Sequence, residues 1–262
     1  MLCIILSTQA LTGFAAGQGA LTVGSYNAGC IRGSQALPLN GAGYQVMRSS
    51  RQRYFGHAEL VGFVQYLGHA VAAQQLGTLL IGDLAQHYGG PMPSGHRSHQ
   101  TGLDVDIWYW LDSPATTQVL TTEQRETLSA PAFVDESTLK ILHPDWQTAH
   151  TEVLKAAASH PQVERIFVNP AIKAYLCQTI GPDERHWLHK VRPWWHHADH
   201  FHVRLKCPAG EELCQNQAAV DLGAGCDASL EDWFKPAKPS VNKKPTPPPP
   251  LPAECKAILA GE

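Results

Sequence analysis

The chain has 262 residues, 44% of them hydrophobic and 16% charged, which supplies one substantial core with fewer charges than the usual quarter. A net charge of -3 and a pI near 6.5 exclude the electrostatic footprint of nucleic-acid binding, a basic patch or a domain pI above about nine. A single enzyme-sized unit is the expectation.

Leu2 to Ala16 form an apolar segment ending in the small residues Gly13, Ala15, Ala16 and Gly17. It is too short to span a bilayer and stands where a secretory signal stands, although the basic residues that open such signals are missing. A signal over residues 1–16 carries Cys3 away and leaves Cys30, Cys177, Cys207, Cys214, Cys226 and Cys255. An even number fits an exported chain in an oxidising compartment. The short loop between Cys207 and Cys214 favours their pairing, and the absence of any Cys-x-x-Cys spacing speaks against thiolate metal ligands.

From Glu59 the apolar residues Leu60, Phe63, Val64, Leu67 and Val71 step at three and four, which predicts an amphipathic helix with His57 and His69 in structural roles. Leu76 to Asp83 reads as a short buried strand feeding the loop Gly89-Gly90-Pro91-Met92-Pro93, which delivers His96.

The next stretch, Ser94 to Trp108, carries the first chemical motif. Leu103, Val105, Ile107 and Tyr109 alternate with Asp104, Asp106, Trp108 and Trp110, the period of a strand with two unlike faces, so Asp104 and Asp106 share a face. His99 precedes Gly102, where a bend swings its imidazole back beside Asp106. Beyond lies a polar stretch, Ser113 to Asp145, in which Asp135 and His143 are the residues of metal-binding type considered. A helix is expected over Trp146 to Ala158 and a strand over Val163 to Val168. Asn169-Pro170 caps a further helix, Ala171 to Cys177.

The second motif is Trp194-Trp195-His196-His197-Ala198-Asp199-His200-Phe201-His202. Phe201, Val203 and Leu205 alternate with His200, His202 and Arg204, so both histidines of the His-Phe-His tripeptide point the same way. With His186 and His189, the two windows hold eight of the fourteen histidines. Two such strands offer His99, Asp106 and His202 as an N, O, N ligand set, a combination that suits zinc with one position open. Asp104 shares the face of Asp106 and is an alternative ligand. His96 is a ligand for a second metal or a donor toward substrate. His200 is the first choice as general base, with His197 as runner-up or as an oxyanion donor. Trp194, Trp195 and Tyr109 are candidate cleft walls. No Gly-x-Ser-x-Gly supports a serine nucleophile.

Eight of the nineteen prolines lie beyond Trp233, so residues 236–262 read as a polyproline strap that packs no core of its own, after a catalytic unit over 17–235. Strands and helices in irregular order, without a Rossmann or P-loop glycine motif, predict an α+β fold.

His99-x-x-Gly102-x-x-x-Asp106 followed far downstream by His200-x-His202 resembles the zinc peptidases grouped around lysostaphin, the D-alanyl-D-alanine peptidases and the hedgehog domain. The strings Gly95 to Trp108, Ile166 to Lys173 and Lys190 to Trp194 narrow the resemblance to the penicillin-insensitive murein endopeptidases, over about Cys30 to Cys255. The resemblance implies a mostly antiparallel sheet holding Zn2+. It selects Asp106 as ligand over Asp104, which then orients an imidazole, and it implies the pairs Cys177–Cys226 and Cys30–Cys255. The implied activity is hydrolysis of the D-alanyl-meso-diaminopimelyl cross-link of peptidoglycan, with stem peptides and cross-links as partners. A D,D-carboxypeptidase and a zinc- or wall-binding module without catalysis are the alternatives, and a homo-oligomer is left open.

Overall fold

The computed structural model describes residues 19–142, 145–235 and 247–261. The signal expected over residues 1–16, His143 and the prolines Pro236, Pro239 and Pro245 lie outside the described residues.

The chain opens with the antiparallel hairpin β1 (Leu21–Ser25) and β2 (Ala28–Arg32). Four short strands follow, β3 (Gln35–Ala36), β4 (Asn40–Gly41), β5 (Tyr44–Val46) and β6 (Phe55–Gly56). Then come α1 (Ala58–Ala73), β7 (Leu79–Ile81), β8 (Asp104–Trp108) and α2 (Thr122–Thr127). The small hairpin β9 (Val134–Asp135) and β10 (Lys140–Ile141) leads into α3 (Thr148–Ser159), β11 (Val163–Val168) and α4 (Pro170–Thr179). The chain ends with β12 (Val191–Pro193), β13 (His200–Leu205), α5 (Ala228–Glu231) and α6 (Cys255–Ala260).

Seven strands form the main sheet in the order β12-β11-β13-β8-β7-β5-β4. The β11–β12 and β5–β7 pairings are parallel and the other four antiparallel. The fold is α+β with a mostly antiparallel, mixed central sheet.

Alternation gives the sheet its two faces. Val105 and Ile107 of β8, Phe201, Val203 and Leu205 of β13, and Ile166 and Val168 of β11 all point into the core with the stripe of α1. Each such side chain stabilises the fold by about 1.5–3 kcal/mol on burial. The opposite face of the same strands is thereby committed to Asp104, Asp106, His200, His202 and Arg204. The sheet's hydrophobic side holds the polar side in place.

α1 is N-capped by His57, whose Nδ1 accepts from the Glu59 amide while its Nε2 lies 3.0 Å from Glu211, so His57 is structural. Asn169 caps α4 through the Ala171 amide, with Pro170 in the first turn. The expected strand over Leu76 to Asp83 shrinks to three residues, because Gly77 takes a left-handed φ of 118° and packs against the Leu111 backbone. The stretch Ser113 to Asp145 holds α2, closed by a capping box between Thr121 and Gln124. Its Thr-x-x-Gln spelling is the signal that would have found it.

Three disulfides join Cys30 to Cys255, Cys177 to Cys226 and Cys207 to Cys214. The first ties α6 to the opening hairpin, where Ile258 and Cys255 pack with Val23 and Cys30. No described helix is long and apolar enough to cross a membrane.

Candidate metal and catalytic site

Register across the sheet assembles the site: Asp106 of β8 stands opposite His202 of β13, and Asp104 opposite Arg204. His99 arrives from the loop before β8. Gly102 turns that loop with φ 71°, where a side chain would meet Ile31 and the His57 amide, and His99 itself has φ 64°. A left-handed histidine is uncommon and persists where surrounding structure over-determines it. Here the His99 Nδ1–H donates to the Leu84 carbonyl at 2.7 Å, so Nε2 carries the free lone pair and faces Asp106.

Three imidazole nitrogens surround one carboxylate oxygen, Oδ1 of Asp106: His202 Nδ1 at 3.3 Å, His99 Nε2 at 3.4 Å and His200 Nε2 at 3.9 Å. On the other side Asp106 Oδ2 lies 3.4 Å from His96 Nε2, which also approaches Asp83 Oδ2 at 3.1 Å. His96, His99 and Asp106 form the one cluster of metal-ligating side chains among the described residues whose ligand atoms all lie within 4.8 Å of one another. His96 therefore joins the same site as His99.

Each histidine is oriented by a carboxylate or carbonyl behind it. The His202 Nε2–H donates to Asp104 Oδ1 at 2.6 Å, which turns Nδ1 toward Asp106. The His200 Nδ1–H donates to Asp199 Oδ1 at 2.6 Å, which turns Nε2 the same way. Asp104 is in turn bound by the Arg204 Nε–H at 2.7 Å. Burial alone would push the Asp104 carboxyl up, but Arg204, His202 and His99 outweigh it and hold it far below the usual range. Asp106 is held low likewise, burial being overcome by His99, His200 and His202. For His200 and His202, burial works against the charged ring, and the neighbouring carboxylates overcome it and raise both. His197 is pushed down to about 4 by burial and by His200 and His202. It is neutral at pH 7, with its Nδ1–H on the Trp195 carbonyl.

The donor set fits a divalent cation. His99 Nε2 and Asp106 Oδ1 are fully buried and hydrogen-bond to nothing, although an unsatisfied buried polar atom costs about 1–3 kcal/mol. Lone pairs aimed at one another at 3.3–3.4 Å repel unless a positive charge lies among them, and imidazole with carboxylate is a donor set zinc accepts.

A comparison with known proteins adds the family. The penicillin-insensitive murein endopeptidases match this chain over residues 22–260. A protein of that name from Haemophilus influenzae is 46% identical over 238 residues, covering 90% of this chain and 82% of its own length. Namesakes from Yersinia pestis and Klebsiella pneumoniae are also 46% identical, over 91% and 93% of this chain and 85% and 87% of theirs. The chain belongs to the penicillin-insensitive murein endopeptidase family.

In this family member the two sequence motifs bring His96, His99, Asp106, His197, His200 and His202 to one side of the sheet. One expectation is corrected by placement. Tyr109 is 1% exposed and packs among Phe133, Trp146 and Phe201; it is core rather than cleft wall, because it continues the inward-facing alternation of β8. Trp194 and Trp195 are exposed. Asp135 spends its carboxylate on Ser137 and Thr138. Sequence reasoning assigned no role to Asp83, Arg53 or Asp199. Asp83 takes Arg53 at 2.8 Å as well as His96, and a conspicuous charge closing the apolar run Leu79-Leu80-Ile81-Gly82 was its only local signal. Asp199, adjacent to His200, was inside the motif.

Proposed function

We propose that the chain is an exported, zinc-dependent murein endopeptidase that hydrolyses the D-alanyl-meso-diaminopimelyl cross-link of peptidoglycan, working in the periplasm as one catalytic unit over residues 17–235 closed by the C-terminal strap. The family supports peptidase action on murein. The observation that carries the zinc reading is the pair of buried, hydrogen-bond-free atoms, His99 Nε2 and Asp106 Oδ1, with His202 Nδ1 turned onto the same point.

His99, Asp106 and His202 would hold the ion, and His96 completes the cluster from the Asp83 side. A zinc ion there supplies a Lewis acid for a peptide carbonyl and acidifies water. His200 takes the proton from the attacking water on Nε2, the nitrogen facing the cluster, while Asp199 holds its Nδ1–H and favours the imidazolium that forms. The same proton then passes to the leaving amine. His197, neutral, with its one N–H on the Trp195 carbonyl and its ring centroid 4.9 Å from that of His200, keeps a lone pair on Nε2 and is the second candidate for the base.

Purified sacculi test this. Released muropeptides identified by mass spectrometry should be monomers from opened cross-links, where terminal D-alanine alone would instead mark a carboxypeptidase. Chelator should abolish release, Zn2+ should restore it, and penicillin should leave it unchanged because no serine ester forms. Full activity after complete metal removal would sink the zinc reading.

A further inference from the structure

The polar face of the sheet does not stop at His202. Register carries one row from Asp106 through His202 to Phe167 of β11 and Arg192 of β12, and the next row from Asp104 through Arg204 to Arg165. Where these rows end, a cavity of about 230 Å³ opens between β11, β12 and α5, lined by Arg165, Arg192, Phe167, Trp194 and Trp233 among others, with no carboxylate in its wall. It adjoins the metal cluster through one side chain. The Phe167 ring lines the cavity and also lies 5.3 Å from the His202 ring, edge on.

The cations of this cavity are under-used. Arg165 is 7% exposed; its Nη2 donates to the Ala218 carbonyl at 2.6 Å, but its Nε makes no hydrogen bond, with Glu164 Oε2 at 3.5 Å as ionic neighbour. The Arg192 side chain has no hydrogen bond or ion pair within 4 Å among the described residues, with Asp227 as its electrostatic neighbour, and Arg204 nearby is already committed to Asp104. Lys173 and Arg192 both approach Gly225, where a methyl group would lie 3.4–3.5 Å from each. Two guanidinium groups thus line a cavity with no carboxylate in its wall, and the one that is nine-tenths buried, Arg165, has an Nε–H that makes no hydrogen bond; Glu164 and Asp227 are the anions nearest the pair. A planar guanidinium fork is shaped for a carboxylate.

We propose that this cavity is a carboxylate-binding subsite of the cleft, in which Arg192 and Arg165 clamp a free carboxylate of the bound peptide with Trp194 and Trp233 flanking the chain that carries it. Two strand spacings separate β13 from β12, so the clamp lies about 10 Å from His202, roughly three residues of extended peptide. It selects substrate and sets register, and it touches no reacting atom. The proposal rests on the murein reading, since cross-linked stem peptides carry several free carboxylates.

The test uses the full-length zinc-loaded chain and cross-linked muropeptide dimers, unmodified or amidated at one carboxylate at a time. For the wild type, amidating one particular carboxylate should raise KM about tenfold or more with little change in kcat, and amidation elsewhere should not. Arg192→Gln should raise KM for the unmodified dimer by a similar factor and lose the discrimination, and Arg192→Lys should recover part of it. Arg165→Gln, more deeply buried, should show the same loss of discrimination wherever it melts as the wild type does. If Arg192→Gln weakens all dimers equally, or none, the subsite is overturned. Should the wild type cleave no dimer at all, the murein reading fails separately, and equilibrium binding of the same peptides then decides. Affinity that depends on one carboxylate and vanishes in Arg192→Gln upholds the clamp, and affinity indifferent to amidation refutes it.

Discussion

His200 and His202 stand two residues apart on one strand with both rings on the same face, yet their nitrogens are committed differently. His202 gives its Nε2–H to buried Asp104 and turns Nδ1 into the cluster, so His202→Ala should lose bound zinc and activity together. His200 leans on Asp199 and stays further from Asp106 Oδ1, at 3.9 Å against 3.3 Å. His200→Ala should therefore keep its zinc in metal analysis and lose about 10²- to 10⁴-fold in turnover, the range a general acid-base supplies. His197→Ala should keep metal and weaken catalysis less. Loss of zinc from His200→Ala, or near wild-type turnover, would reassign the base to His197.

At the level of elements, α4 carries an unusual passenger in Lys173, a lysine with no exposed surface. Its Nζ donates to the Leu188 carbonyl at 2.8 Å and to the Ala224 carbonyl, tying α4 to the turn before β12 and to the loop held by Cys177–Cys226. Burial, reinforced by Arg192 against the pull of Asp227, pushes its pKa down to about 7. The sign follows from linkage. Between about 7 and the unfolded value near 10.4 the unfolded chain binds the extra proton, so Lys173 penalises folding fully below pH 7 and is relieved as pH rises. Stability should climb from pH 7 to pH 9 by at most about 1.4 kcal/mol per unit from this group. In Lys173→Met that slope should flatten while the two carbonyls lose their donor, so urea midpoints of the two proteins should diverge with rising pH. Parallel midpoints would show that Lys173 is charged in both states.

Across the whole molecule, the Cys30–Cys255 bridge spans 225 residues and Cys207–Cys214 only 7. On the chain-entropy account the short bridge contributes roughly half as much as the long one. Cys255→Ser should also free α6 from Val23 and Cys30, lowering the thermal midpoint by roughly 5–15 °C. Zinc content and turnover at 25 °C should survive, because α6 does not reach the cluster. Cys214→Ser should lower the midpoint less. Equal losses from the two variants would indicate that native-state packing, rather than restriction of the unfolded chain, sets the contribution of each bridge.

The alternations Leu103–Tyr109 and His200–Leu205 are local, with a period set by the pleat, so the sequence by itself determined which of their residues face the core and which share the polar side. The stripe of α1, the Asn-Pro start of α4 and the pairing of Cys207 with Cys214 were legible for the same reason, each being decided within one or two turns of chain. Family resemblance, rather than spacing, pointed to the other two bridges and to Asp106 over Asp104. Only the tertiary structure decided who stands beside whom. Periodicity assigns a face but no neighbour, so nothing local could place Asp83 against His96, bring Leu84 to hold the His99 tautomer, or put Tyr109 in the core among Phe133 and Trp146. Arg165 and Arg192 are 27 residues apart in sequence, with a helix between them. They share one cavity because β12 pairs parallel to β11 at the edge of the sheet, and strand register is settled by the packing of the whole apolar face beneath it.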